Sequence, residues 1–113
     1  MTRYLISFDD GAMAHIPASD WVTVGEEAHA VVRAAKAAGV WIHGGGVKQQ
    51  QASIVGTDGA VADGPSPETK AVIGGFSIIE VPTREEALQW AARIAVACRC
   101  AQEVRALMDD PEA

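Results

Sequence analysis

Three Trp, two Phe and one Tyr are the only aromatic residues in the chain, so a core has to be assembled mainly from Ala, Val, Ile and Leu. Basic residues are outnumbered, 9 Lys and Arg against 15 Asp and Glu, for a formal net charge of −6. A phosphate backbone or an anionic lipid surface attracts cations and repels carboxylates, so neither nucleic acid nor membrane is an expected partner. No apolar run approaches the ~20 residues of a membrane span. Met1 to Asp10 has no signal-peptide core or cleavage site, so the expected location is the cytoplasm. Cys98 and Cys100 are the only cysteines. One intervening residue fits neither a redox C-x-x-C nor half of a zinc site, and they read as two reduced thiols near a helix end. His15, His29 and His43 are scattered, so neither a metal nor a cofactor is expected.

Within one domain of ordinary size, the hydrophobic periodicity sets an order of elements. Tyr4 to Phe8 reads as a strand stopped by Asp9-Asp10-Gly11. A helix is expected from Thr23, with Thr23 and Glu26 at capping-box spacing, an inward stripe of Val24, Ala28, Val31, Val32 and Ala35, and a stop at Gly39. Val40 to His43 is a second strand. Ala52 to Val55 and Ala60 to Ala62 form a hairpin about Thr57-Asp58-Gly59. Asp63 to Gly74 is a loop. Gly75 to Val81 is the strongest strand and Pro82 ends it. Thr83 and Glu86 open a second helix, with Ala87, Leu88, Ala91, Ile94 and Ala95 inward. The last strand is Gln102 to Leu107. The domain is taken as 1–108, with 109–113 a frayed acidic tail. This order predicts an α+β, ferredoxin-like antiparallel sheet with two helices on one face.

Strand 75–81 is apolar on both sides, with Phe76 and Ile78 opposed to Ile79 and Val81. Two helices cover one face, and a second apolar face in water is unusual for a monomer. The same face of another copy covers it most simply, which predicts a homodimer. The competing expectation is a monomer whose long loops fold over that face.

The candidate chemistry is sparse. Asp63 can act as a general base or orient one; Asp63-Gly64-Pro65 is also turn chemistry. His43 is read as sharing a strand face with Trp41, a pairing suited to ligand contact, or else as a packed strand-end histidine. Lys70 is a further candidate for binding, although Glu68, Thr69 and Lys70 can equally serve to fix their loop. Gly44-Gly45-Gly46 precedes no helix and no Lys-Ser or Lys-Thr, so it is not a phosphate loop but a bulge or a close backbone approach. His29 shares a helix side with Arg33 and Lys36 and is read as solvated.

Asp63-Gly64-Pro65-Ser66-Pro67-Glu68-Thr69-Lys70, followed by Gly74-Gly75-Phe76 and an apolar strand, resembles the DGPF-motif branch of the YCII-related family. Glu85 to Leu88, Ala91 to Ile94 and Glu103 to Arg105 resemble its second helix and last strand. The resemblance implies a ferredoxin-like chain paired into a dimeric α/β barrel, with a pocket between helices and sheet or between subunits. For some relatives it implies His/Asp proton chemistry. Ser66 stands where the motif has Phe, and Ala28 stands where those relatives have a first-helix His, with His29 one residue late. The leading expectation is therefore a small-molecule-binding domain of unknown ligand, with a link to signalling or transcription as its expected context. A cofactor-free lyase or isomerase using Asp63 with His43 or His29 is the alternative, and a structural dimerisation module the third.

Overall fold

A computed structural model describes residues 1–48, 52–65 and 72–113. The elements run β1 (Thr2–Asp9), α1 (Trp21–Ala37), β2 (Trp41–Gly46), β3 (Ser53–Val55), β4 (Val61–Asp63), β5 (Ile73–Val81), α2 (Arg84–Cys98) and β6 (Glu103–Ala106). Four strands form one sheet in the order β2-β5-β1-β6, while β3 and β4 pair separately. All neighbours are antiparallel. Each half of the chain is a strand, a helix and a return strand with a third strand between them, which is the ferredoxin-like arrangement. No helix among the described residues is long and apolar enough to cross a membrane.

The core forms where alternating strand residues meet the inner stripe of α2. Tyr4 and Ile6 of β1, Ile79 and Val81 of β5, and Ala87 and Ala91 of α2 make one buried cluster. Ile6, Ile79 and Val81 are fully buried, each stabilising the fold by about 1.5–3 kcal/mol. Small alanines let α2 lie close to the sheet. Val40, Trp41, Trp90, Ile94 and Val104 close the edges. Leu88, expected to point inward, is 45% exposed. It follows Ala87 by about 100° of helix rotation and falls beyond the narrow stripe that faces the sheet.

The start of α1 differs from the expectation at Thr23. The chain leaves Pro17 through a single 3-10 turn at Ala18–Asp20, and α1 is already under way at Trp21. Thr23 therefore lies inside the first turn, where its own helical backbone prevents it from acting as a cap. At α2 the capping expectation holds: Thr83 Oγ1 accepts from the Glu86 backbone N–H at 3.2 Å.

The end of α2 is built without glycine. Arg99 adopts φ 60°, a left-handed conformation that normally favours Gly. Its guanidinium compensates by donating to the carbonyls of Val96 (2.9 Å) and Ala97 (3.0 Å) and to Glu27 Oε2 of α1 (2.6 Å). The Arg99 hydrogen bond, with its charge, holds the Glu27 carboxyl below the ordinary value of 4.5. A depressed carboxylate stabilises the fold above its unfolded pKa, and this contribution is lost as pH falls through the folded pKa. Glu27→Gln is accordingly expected to melt below wild type near neutral pH. The two melting temperatures should converge at the acid end of a scan below about pH 4. A difference that persists unchanged there would show that the pair does not couple the helices.

Candidate ligand-binding face

Strand alternation assigns each residue of the sheet to one of two faces. The helices cover Tyr4, Ile6, Ile79 and Val81, so their neighbours point to the uncovered side. Cross-strand register then arranges the uncovered side in rows. One row runs Gly45, Phe76, Ser7, Glu103, and the next runs His43, Ile78, Leu5, Arg105. Arg3 and Glu80 pair at the far end at 3.0 Å, and Arg105 pairs with Glu103. Arg3 and Arg105 are thereby each engaged by a carboxylate.

The middle of the face is apolar and uneven. Leu5, Phe76 and Ile78 are half-buried although no helix lies over them, while His43 is exposed. The imidazole of His43 stands 6.2 Å from the Phe76 ring, tilted by 54°. Ser7 is only 6% exposed, a small side chain between Phe76 and Glu103 in its row. Its hydroxyl makes no hydrogen bond among the described residues, yet no sealed polar side-chain atom is left without a partner, so the oxygen still reaches the open side. A Cβ added at Gly45 would meet nothing within 4 Å. The row therefore carries no side chain at its β2 end and a hydroxyl at Ser7.

A family model of the YCII-related domain matches residues 22–109. The chain belongs to the YCII-related family. Among curated proteins, no sequence matches. Among solved structures, a similar one is 5-chloro-2-hydroxyhydroquinone dehydrochlorinase (TftG) from Burkholderia phenoliruptrix AC1100, in complex with 2,5-dihydroxybenzoquinone. The likeness has a TM-score of 0.53 at 16% identity and covers 99% of this chain and 98% of that one. At that identity it establishes the shared fold.

Within this YCII-related domain the residues singled out from sequence are dispersed. His43 and Trp41 do not share a face. A bulge between them places Trp41 opposite Ile79 on the helix side and His43 opposite Ile78 on the uncovered side. The extra residue, Ile42, breaks the period of two on which the expectation relied. Asp63 is the last residue of β4, paired with Ser53 in the separate hairpin and exposed. Among the described residues no hydrogen bond joins it to a histidine. Lys70, Ser66, Glu68 and Thr69 lie outside the described residues. His29 is exposed on α1 and His15 in the loop before it. Ser7 was not singled out, and Gly45 only within Gly44-Gly45-Gly46, where the close backbone approach falls at Gly44. Their sharing of one row is legible only once strand register aligns them.

The cysteines lie on the helix side. Burial, with Cys100 nearby, pushes the Cys98 thiol up, and burial likewise raises Cys100. Both are therefore held as neutral thiols, the weaker form for nucleophilic work. Among the described residues no three His, Cys, Asp or Glu side chains converge as a metal site.

Proposed function

We propose that this chain is a DGPF-type member of the YCII-related family that binds a small molecule on the uncovered face of its sheet, as a homodimer in which two such faces meet. The observation that carries this reading is the face itself: Leu5, Phe76 and Ile78 form an apolar patch with the Ser7 hydroxyl among them and the His43 imidazole against Phe76. An apolar surface with a few polar groups is what a small ligand requires. A second copy turns an open face into an enclosed one and removes apolar area from water. The complex of the dehydrochlorinase with a dihydroxyquinone supports hydroxylated rings as the first compounds to test. Binding is favoured over catalysis because Asp63 and His43 belong to separate sheets with no hydrogen bond between them.

The test is a thermal-shift panel of hydroxylated benzenes and quinones, including 2,5-dihydroxybenzoquinone, run beside analytical sedimentation. The expected result is a saturable rise in melting temperature with at least one member, since a ligand of the native state stabilises it. Sedimentation should give about twice the 11.8 kDa chain mass. A flat response across the panel, or a monomer at micromolar concentration, would overturn the reading. Turnover of a bound panel member would move the assignment to the lyase or isomerase alternative.

A further inference from the structure

We propose that the hairpin of β3 and β4 is an arm that packs its Val55–Val61 side against a second copy of the chain, beside the contact between the two uncovered sheet faces. This inference rests on the homodimer reading above and adds to it the segment that completes the interface.

Three observations converge on the hairpin. The first is that, among the described residues, it has no support from the rest of the fold. β3 and β4 pair with each other and with no strand of the main sheet. Each is 3 residues long and exposed throughout. An isolated two-stranded hairpin is marginal in water and needs something to pack against. The second is its sidedness. Register sets Val55 opposite Val61, Ile54 opposite Ala62 and Ser53 opposite Asp63. The Ile54 side is backed by the chain itself. Gly64 donates its N–H to the Ala52 carbonyl at 2.6 Å, and a Cβ at Gly64 would stand 2.9 Å from Ile54 Cγ1. The other side carries Val55 and Val61, which are 65% and 68% exposed. Two branched apolar residues paired across strands gain stability when that surface is covered. The third is shape. The chain extends 43 × 43 × 19 Å with a radius of gyration of 15.7 Å, against about 13 Å for a compact domain of this length. The short dimension holds one sheet and one layer of helices about 10 Å across, so the excess is lateral.

Area and position identify the occupant as a second copy. A face of four strands about 4.8 Å apart, paired over four to eight residues at about 3.4 Å each, has a footprint of roughly 400 Å². A stable dimer of standard size takes about 800 Å² from each partner. The sheet face alone falls short, and further apolar surface has to join it. The hairpin begins at the rim of that face. Pairing of β2 with β5 ends at Gly46 and Gly75, and Val47 donates its N–H to the Gly74 carbonyl just beyond. Every copy carries both the face and the hairpin, so a two-fold pair brings two arms together with two faces.

The experiment measures the dimer dissociation constant by sedimentation over a dilution series of full-length chains: wild type, the double variant Val55→Thr/Val61→Thr, Ile78→Glu and Val96→Thr. Threonine keeps the branched shape and the strand preference, so the hairpin is retained while its apolar surface is reduced. Val96, 74% exposed on α2, is the control. Hydrogen exchange of wild type is followed at the amides of β3 and β4, at concentrations above and below the dissociation constant. The double variant should dissociate at least tenfold more readily than wild type, and Val96→Thr as wild type does. The hairpin amides should exchange at least tenfold more slowly in the dimer than in the monomer. If the double variant dimerises as wild type does, or the hairpin amides exchange alike in both states, the arm is overturned and the homodimer reading stands. Protection already complete in the monomer would place the hairpin against its own chain, which also overturns the arm. If the double variant dissociates and Ile78→Glu does not, the arm stands and the pairing of sheet faces falls. A wild type that stays monomeric at micromolar concentration overturns both.

Discussion

Ile79→Ala should destabilise the monomer by about 2–5 kcal/mol, whereas Ile78→Glu should leave the fold intact and convert the proposed dimer to monomer. These neighbours on β5 differ in what their faces meet. Ile79 is fully buried against Tyr4 and α2, so truncation removes buried methylenes and leaves a cavity that packed alanines cannot collapse into. For a domain of this size that corresponds to a loss of roughly 10 °C or more in melting temperature. Ile78 lies opposite Leu5 on β1 and His43 on β2, on the face with no helix over it. A carboxylate there remains hydrated in the monomer, and only a second copy packed on that face would bury it unpaired. Thermal melts and sedimentation of the two variants separate the effects. An Ile78→Glu chain that is folded and still dimeric would place the interface elsewhere.

Gly44→Ala should cost about 1–3 kcal/mol, while the same change at Gly45 or Gly46 should be nearly silent. The three glycines are consecutive in β2, but each meets a different neighbour. A Cβ at Gly44 would come within 2.6 Å of the Phe76 carbonyl oxygen and 2.9 Å of both the Ser77 Cα and the Trp41 ring. Backbone of a central strand cannot retreat without breaking its ladder, and Trp41 is held against the core. At Gly45 and Gly46 nothing lies within 4 Å. Chemical denaturation of the three Ala variants measures the contrast directly. Equal losses at all three positions would mean that the close approach at Gly44 does not set this segment's tolerance, and equal gains that strand entropy governs it.

Much of the element order was legible from residues alone, because it depends on short-range physics. The alternation in β1 and β5, the Thr83 cap, the turn at Gly59 and the left-handed stop at Gly39 each follow from local geometry. The two-sided character of β5 was equally plain, since its opposite faces are both apolar. What sequence could not locate was the first turn of α1, which depends on how the chain leaves Pro17, and the α2 terminus, where Arg99 occupies a glycine conformation by reaching Glu27 across 72 residues.

The candidate site lay further beyond reach. Asp63, in the motif that carries the family resemblance, pairs within a separate hairpin. Trp41 and His43, two residues apart, are parted by one bulge. The row of Gly45, Phe76 and Ser7 joins three strands distant in sequence, and only antiparallel register sets them side by side. Periodicity determines which residues share a face of one strand; pairing between strands determines which faces become neighbours, and a single inserted residue reverses that assignment.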